Sequence, residues 1–231
     1  MNHRMRPMLP VLLLLALPAH ANLTVHPMRT AVDGRRDTQI RVYSQSAQPQ
    51  YVQASLRQIV DPAGEGEHEA EVSPDQAAIA ITPGKFALSG GGNRLIRVIP
   101  LQPVTQETAY RVYFEGVRGN EESETDPVEG AQAKIGLSLI WGALVNVLPA
   151  DGVVEVQVED DHLRNTGTLR LGIISIADCQ DTRCVAHEVS RSLYPGSRLH
   201  LPFPPVAGHT VQLRYRLSRD GYREHLTRLS L

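Results

Sequence analysis

The segment AKIGLSLIWGALVNVLP, residues 133–149, decides how the rest of this chain is interpreted. In its first half Ile135, Leu137 and Leu139 alternate with small or polar residues, which predicts a β-strand with one buried face. Over residues 139–148 nearly every position is apolar, which is typical of a strand that is covered on both faces. The segment is too short and too often interrupted to form a membrane-spanning helix. A strand this long and apolar raises the question of which surface covers it.

The flanking sequence predicts an all-β protein. Extended segments alternate with turn residues, and the dipeptide Asp33-Gly34 is a strong hairpin signal. Seven extended segments over residues 22–148 match the number and spacing of strands in an immunoglobulin-like sandwich, without the Cys…Trp…Cys pattern of antibody domains. The breaker PADG then marks a domain boundary, and residues 149–231 predict a second β-sandwich. The length of 231 residues fits this division into two domains of about 100 residues each.

The N-terminus has the pattern of a secretory signal peptide over residues 1–21. Arg4 and Arg6 are followed by an apolar run and then by the small-residue motif AHA, so we expect cleavage before Asn22. No other segment approaches the length of a membrane span, so we expect an exported protein without stable membrane insertion. The formal net charge of −2 gives no support for nucleic acid as a partner.

The two cysteines, Cys179 and Cys184, lie close together in DCQDTRC. In an exported protein such a pair predicts a disulfide that closes a tight loop, whereas a metal site would need further ligands nearby. No catalytic motif stands out either. The triple glycine at residues 90–92 precedes a predicted strand rather than a helix, and His68 has no metal-ligand spacing around it. We therefore expect neither an enzyme nor a bound metal or cofactor.

Arg29 lies near the end of the first strand of the predicted mature chain. Two interpretations of this residue are open: an ordinary surface arginine, or a guanidinium that binds a carboxylate through two parallel hydrogen bonds.

Four segments stand in a fixed order along the chain: NLTVHPMRTAVDG, AIAITPGKFALSGGGNRLIRV with the residues Thr82, Pro83, Leu88, Gly91 and Arg97, ETAYRVYFEGV, and LSLIWGALVNVLP. Taken together they resemble the periplasmic pilus chaperones of the chaperone–usher pathway, the PapD-like proteins. The likeness covers residues 22–231, and SLYPGSRL after the paired cysteines resembles the alternate branch that serves alpha-type fimbriae.

The resemblance implies a fold of two immunoglobulin-like domains in a boomerang arrangement. It also implies a function in which the last strand of the first domain is lent to a fimbrial subunit that lacks its own last strand. Main-chain hydrogen bonds then supply affinity and side-chain pockets supply register. An ATP-independent periplasmic chaperone of this kind would deliver its subunits to an outer-membrane usher.

The resemblance assigns roles to particular residues. Counting back from Pro149 makes Ile135, Leu137 and Leu139 the donor residues, and Arg29 the anchor for the terminal carboxylate of the subunit. The second cation of the better-known branch, a lysine, falls on Leu144, so Arg29 acts here either with backbone amides or with Asn146. An inter-domain ionic network falls on Arg97, Glu107 and Asp220; the alternative is three unrelated surface charges.

A different class of function stays open at this stage. The chain could itself be a fimbrial structural subunit or adhesin, although pilin sandwiches usually form one domain with a free N-terminal donor segment. An exported hydrolase built on a β-sandwich is a third possibility.

Overall fold

The computed structural model describes residues 22–34, 36–117 and 139–231. Within these ranges the chain forms β-strands and one short 3₁₀ turn, Ser218–Asp220, which confirms the all-β prediction. No helix of the described part is long and apolar enough to cross a membrane.

The first ten strands build two sheets that face each other. One sheet has the order β1-β3-β8-β6, and the other has the order β2-β10-β9-β4-β5 with β7 also paired to β4. The strands are β1 Leu23–His26, β2 Arg29–Asp33, β3 Thr38–Ser44, β4 Gln50–Val60, β5 His68–Ala70, β6 Ile79–Thr82, β7 Lys85–Leu88, β8 Asn93–Pro100, β9 Thr108–Val117 and β10 Ile140–Leu148.

The chain crosses from one sheet to the other near its start. β1 pairs with β3, whereas β2 pairs with β10 in parallel, and Pro27, which cannot donate a backbone hydrogen bond, lies between β1 and β2. The hairpin predicted at Asp33-Gly34 is therefore wrong. A turn does form there, with a bridge between Asp33 and Arg36, but it joins strands of different sheets.

The remaining strands form a second pair of sheets, with the orders β11-β12-β15 and β14-β13-β16-β17. The disulfide prediction is confirmed: Cys179 and Cys184 are bridged, and they face each other near the tip of the β13–β14 hairpin. The strands are β11 Val156–Glu159, β12 His162–Asn165, β13 Leu171–Gln180, β14 Arg183–Leu193, β15 Arg198–His200, β16 Thr210–Leu217 and β17 Glu224–Ser230.

Each pair of sheets encloses its own apolar core. Ile40, Ile96 and Phe114 are fully buried in the first core, and Leu163, Ile176 and Leu213 are fully buried in the second. Leu148, the last residue of β10, packs into the second core although its strand belongs to the first pair of sheets. The two cores are thus connected through the end of one strand.

Candidate functional site: the open edge of β10 and the junction between the sandwiches

Strand β10 is covered unequally along its length. It pairs with β9 from Ile140 to Val147, but β2 covers its other edge only from Leu144 to Leu148. The hydrogen bond from the Leu144 N–H to the Met28 carbonyl, at 2.9 Å, marks the point where this cover begins. Among the described residues none pairs with this edge at residues 140–143, so a further strand can bind there.

The side chains of β10 alternate between the first core and the opposite face of the sheet. Ala143, Val145 and Val147 are buried in the first core, and Trp141 packs against it. Leu139 and Ile140, at the beginning of the strand, are 47% and 55% exposed. Large apolar side chains thus lie exposed beside the open edge.

The predicted donor residues are only partly described. Leu139 immediately precedes β10 and has the same parity as Trp141 and Ala143. Ile135 and Leu137 lie outside the described residues.

Arg29 occupies the neighbouring position on β2. It lies directly opposite Leu144, the position at which the resemblance expects a second cation, and its side chain is exposed. The Arg29 side chain forms no hydrogen bond or ion pair with another residue of the described ranges. Arg29 and Leu144 belong to a row of residues that lie opposite one another in neighbouring strands. The row continues across the sheet, because Leu144 also pairs with Arg111 on β9, and Arg111 pairs with Arg57 on β4.

The two further arginines of this row have carboxylate partners. The Arg111 Nε lies 3.3 Å from Glu69, and the Arg57 Nη1 lies 2.7 Å from Glu71. The Tyr113 hydroxyl, 2.7 Å from one oxygen of Glu69, fixes that carboxylate beside Arg111.

A buried polar cluster of Glu107, Arg170 and Ser218 joins the two sandwiches. Glu107 is 3% exposed and accepts hydrogen bonds from the Arg170 N–H and the Ser218 hydroxyl, both at 2.8 Å. Its own N–H donates to the Thr168 carbonyl at 2.8 Å. Burial raises the pKa of Glu107, and the hydrogen bonds from Arg170 and Ser218 oppose that shift.

The three residues of the predicted ionic network do not share a contact in the described part of the chain. Arg97 pairs with Asp37 at 2.8 Å on the surface, and Asp220 pairs with His225 at 2.9 Å. Of the three, Glu107 forms hydrogen bonds across the junction between the sandwiches, where the buried cation next to it is Arg170.

Asn146, one of the two groups expected to bind the carboxylate together with Arg29, faces the second sandwich. It is fully buried, and its side-chain N–H donates to the Tyr194 hydroxyl at 2.9 Å. This hydrogen bond is a second link between the sandwiches. Among the residues that the structure describes, no group of three or more His, Cys, Asp and Glu side chains could hold a metal ion.

Comparisons with known proteins relate this architecture to fimbrial assembly. No family model matches the chain. A CS1 fimbrial subunit of Escherichia coli is 28% identical over 203 residues, which cover 84% of this chain and 85% of that protein. The crystal structure of the class 5 fimbriae chaperone CfaA aligns with a TM-score of 0.75 at 20% identity, over 91% of this chain and 100% of that chain. The chain has the fold of a fimbrial chaperone.

A second structure with this chaperone fold comes from a chaperone–tip adhesin complex of CFA/I fimbriae biogenesis. It aligns with a TM-score of 0.69 at 22% identity and covers 90% of this chain and 99% of that chain. The fold prediction of two immunoglobulin-like sandwiches is confirmed, because the alignments extend over both sandwiches.

The sequence could not reveal Arg111 as a neighbour of this site. The alternation of ETAYRVYFEGV does place Arg111 on the face opposite to Tyr110, Val112 and Phe114, which are buried. Its position beside Leu144 depends on the pairing of β9 with β10, which no local pattern specifies.

Proposed function

We propose that this protein is an ATP-independent periplasmic chaperone that binds fimbrial subunits and passes them to an outer-membrane usher. The observation that carries the proposal is the open edge of β10 at residues 140–143, beside the exposed Leu139 and Ile140, in a chain with the fimbrial chaperone fold. The proposed activity is binding, not catalysis.

Strand addition explains how such an edge acts. The N–H and C=O groups of residues 140–143 on the side away from β9 pair with no strand of the described part of the chain, so the main chain of a partner strand can bind them. Preceding this edge, Ile135, Leu137 and Leu139 alternate in sequence with the parity of Trp141, and they would fill pockets of the subunit. Covering this edge also protects it from non-specific strand pairing.

Arg29 would anchor the end of the bound subunit strand. It lies opposite Leu144, where the open edge of β10 stops and β2 begins to cover it. A partner strand that follows the open edge toward β2 must end there, and its terminal carboxylate would meet the exposed guanidinium.

The proposal includes the predicted maturation and domain division. Residues 1–21 would direct export to the periplasm and be removed. Residues 22–148 would form the domain that binds subunits, and residues 149–231 the second domain. In support, the strands β1–β10 and β11–β17 form separate sheets.

A structural fimbrial subunit is the second candidate, because the curated relative from Escherichia coli is called a fimbrial subunit. Its first sandwich should then lack a strand. In this chain Val145 and Val147 of β10 already close the first core, and the alignment to a fimbriae chaperone covers 91% of the chain. Finding the protein within purified fimbriae, rather than in periplasm alone, would favour this second candidate.

The test is capture of subunits by a Leu137→Glu variant, with Ser138→Glu as the matched control of opposite parity. A carboxylate forced into an apolar pocket costs several kcal/mol, about enough to abolish micromolar binding. We expect Leu137→Glu to melt like the wild type and to recover no subunit from periplasm, while Ser138→Glu recovers it. Normal melting together with normal recovery by Leu137→Glu would refute donation of this strand.

A further inference from the structure

We propose that Arg111 is a second cation at the Arg29 site, so that two guanidinium groups hold the carboxylate at the end of a bound subunit strand. The inference rests on the proposed function, and it names the residue that replaces the cation missing at Leu144. Four features of the structure support it: the register of three strands, the packing of Leu144, the glycine at position 142, and the contacts that hold Arg111.

The register places Leu144 between the two arginines. Leu144 pairs with Arg29 on one side and with Arg111 on the other. Residues that lie opposite each other in neighbouring strands project from the same face of the sheet. Neighbouring strands are about 4.8 Å apart, so the Cα atoms of the two arginines are about 10 Å apart, within reach of one carboxylate for side chains of this length.

Leu144 itself leans away from this position. It packs against the small cluster of Ile59, Ala109 and Tyr194 at the junction with the second sandwich. The apolar contacts of Leu144 are therefore made at the junction with the second sandwich. An unpaired lysine at this position would place its ammonium group next to that apolar cluster, at a cost in desolvation.

Gly142 lets Arg111 reach across β10. A Cβ atom at position 142 would lie only 3.0 Å from the Arg111 Cδ and 3.0 Å from the Tyr113 Cε1. The stem of Arg111 therefore already lies against the open part of β10, while its Nε contacts Glu69 of β5. A glycine inside a strand often marks such a close approach.

The side chain of Arg111 is held in this position before any partner arrives. Glu69 contacts its Nε at 3.3 Å, and the Tyr113 hydroxyl contacts both oxygens of Glu69, at 2.7 and 2.9 Å. The opposite edge of a guanidinium, Nη1 and Nη2, binds a second carboxylate in the bidentate manner. Preorganisation of this kind lowers the entropic cost of binding.

Arg57 provides a matched control. It belongs to the same row, is exposed to a similar extent (38% against 36% for the Arg111 side chain) and also pairs with a glutamate, Glu71. It lies one strand farther from β10, so a carboxylate at the end of a partner strand would not reach it.

The experiment compares Arg111→Met with Arg57→Met in full-length protein. Methionine keeps an apolar stem over Gly142 and removes the charge. Each variant is co-expressed with the fimbrial subunit that mass spectrometry identifies in complexes of the wild type. A second form of that subunit carries two extra C-terminal glycines, which displace its carboxylate. The readouts are the amount of complex in the periplasm and the dissociation rate of the purified complex.

We expect Arg111→Met to release the native subunit about ten- to a hundredfold faster than the wild type, and Arg57→Met to release it at the wild-type rate. The two extra glycines should weaken the wild-type complex and leave the Arg111→Met complex nearly unchanged. Gly142→Val, which displaces Arg111 without removing its charge, should also speed release.

The inference is overturned if Arg111→Met holds the native subunit as the wild type does, or if it stays as sensitive to the extension as Arg57→Met. It is also overturned if Arg111→Met weakens both forms of the subunit equally, since a carboxylate contact must distinguish them. If wild-type protein recovers no fimbrial subunit at all, the proposed function itself fails. That outcome differs from one in which the wild-type protein forms the complex and Arg111→Met does not weaken it.

Discussion

Replacement of Glu107 by alanine should strongly destabilise the folded protein, because this buried carboxylate of the first sandwich accepts hydrogen bonds from two residues of the second. It is 3% exposed, and without it the Arg170 N–H and the Ser218 hydroxyl each lose an acceptor at 2.8 Å. Arg170 is also 3% exposed, and its guanidinium donates to the Ser192 hydroxyl at 3.0 and 2.7 Å. The variant would leave that buried positive charge without the nearby carboxylate.

The expected loss is about 2–6 kcal/mol, because each of the two buried donors left without an acceptor costs about 1–3 kcal/mol if water does not reach it. Arg97→Ala is the matched control. Its partner Asp37 and its own side chain are 37% and 56% exposed, and such surface pairs contribute about 0.2–1 kcal/mol.

Urea denaturation measures both losses with two probes. The fluorescence of Trp141, the single tryptophan, reports on the first sandwich, and far-ultraviolet circular dichroism reports on both sandwiches. Glu107→Ala should unfold at a clearly lower urea concentration by both probes, and Arg97→Ala should stay close to the wild type. Equal losses in the two variants would refute the reasoning, because they would mean that Arg97 and Glu107 act in one network.

Three further predictions concern the same junction and the disulfide. Replacing Cys179 and Cys184 together by serine should lower the free energy of unfolding, measured by thermal melting, by about 2 kcal/mol, because the disulfide restricts a short loop in the unfolded chain. Capture of subunits should not change, and two alkylatable thiols in the native wild type would contradict this prediction. Burial raises the pKa of Glu107 above 4.5, so the folded protein retains a proton that the unfolded chain has released. The stability of the wild type relative to Glu107→Gln should therefore fall as the pH rises from about 4.5 through that raised pKa, and a rise over the same window would disprove the assignment. Tyr194→Phe removes the acceptor of the buried Asn146 amide and should lower the stability by about 1–3 kcal/mol in the same urea assay, whereas an unchanged midpoint would show that the link is dispensable.

Much of the fold could be predicted from the sequence because the strands alternate clearly and are separated by turn residues. The segment NLTVHPMRTAV nevertheless reads as one extended stretch, whereas the structure divides it between two sheets at Pro27. The three-residue strand β5, with His68 at its start, reads as a solvated loop because it is exposed and rich in charge. Such short edge strands form because a longer neighbour, here β4, offers a partner.

The site was less predictable than the fold. Counting back from Pro149 led to Leu144, and the structure does place Leu144 opposite Arg29. The partners of Glu107 could not be inferred in the same way. Arg170 and Ser218 are distant from it in sequence, and only the packing of one sandwich on the other brings their donors to its carboxylate.

The place of Leu148 in the second core gives the second sandwich a role in alignment. β10 leaves the first sandwich and ends inside the second without an intervening linker residue. A slip of β10 by one residue would pull Leu148 out of that core and reverse the face of every side chain on the strand. The second sandwich therefore holds the C-terminal end of β10 in one register, and this register determines which side chains the other end presents to a partner.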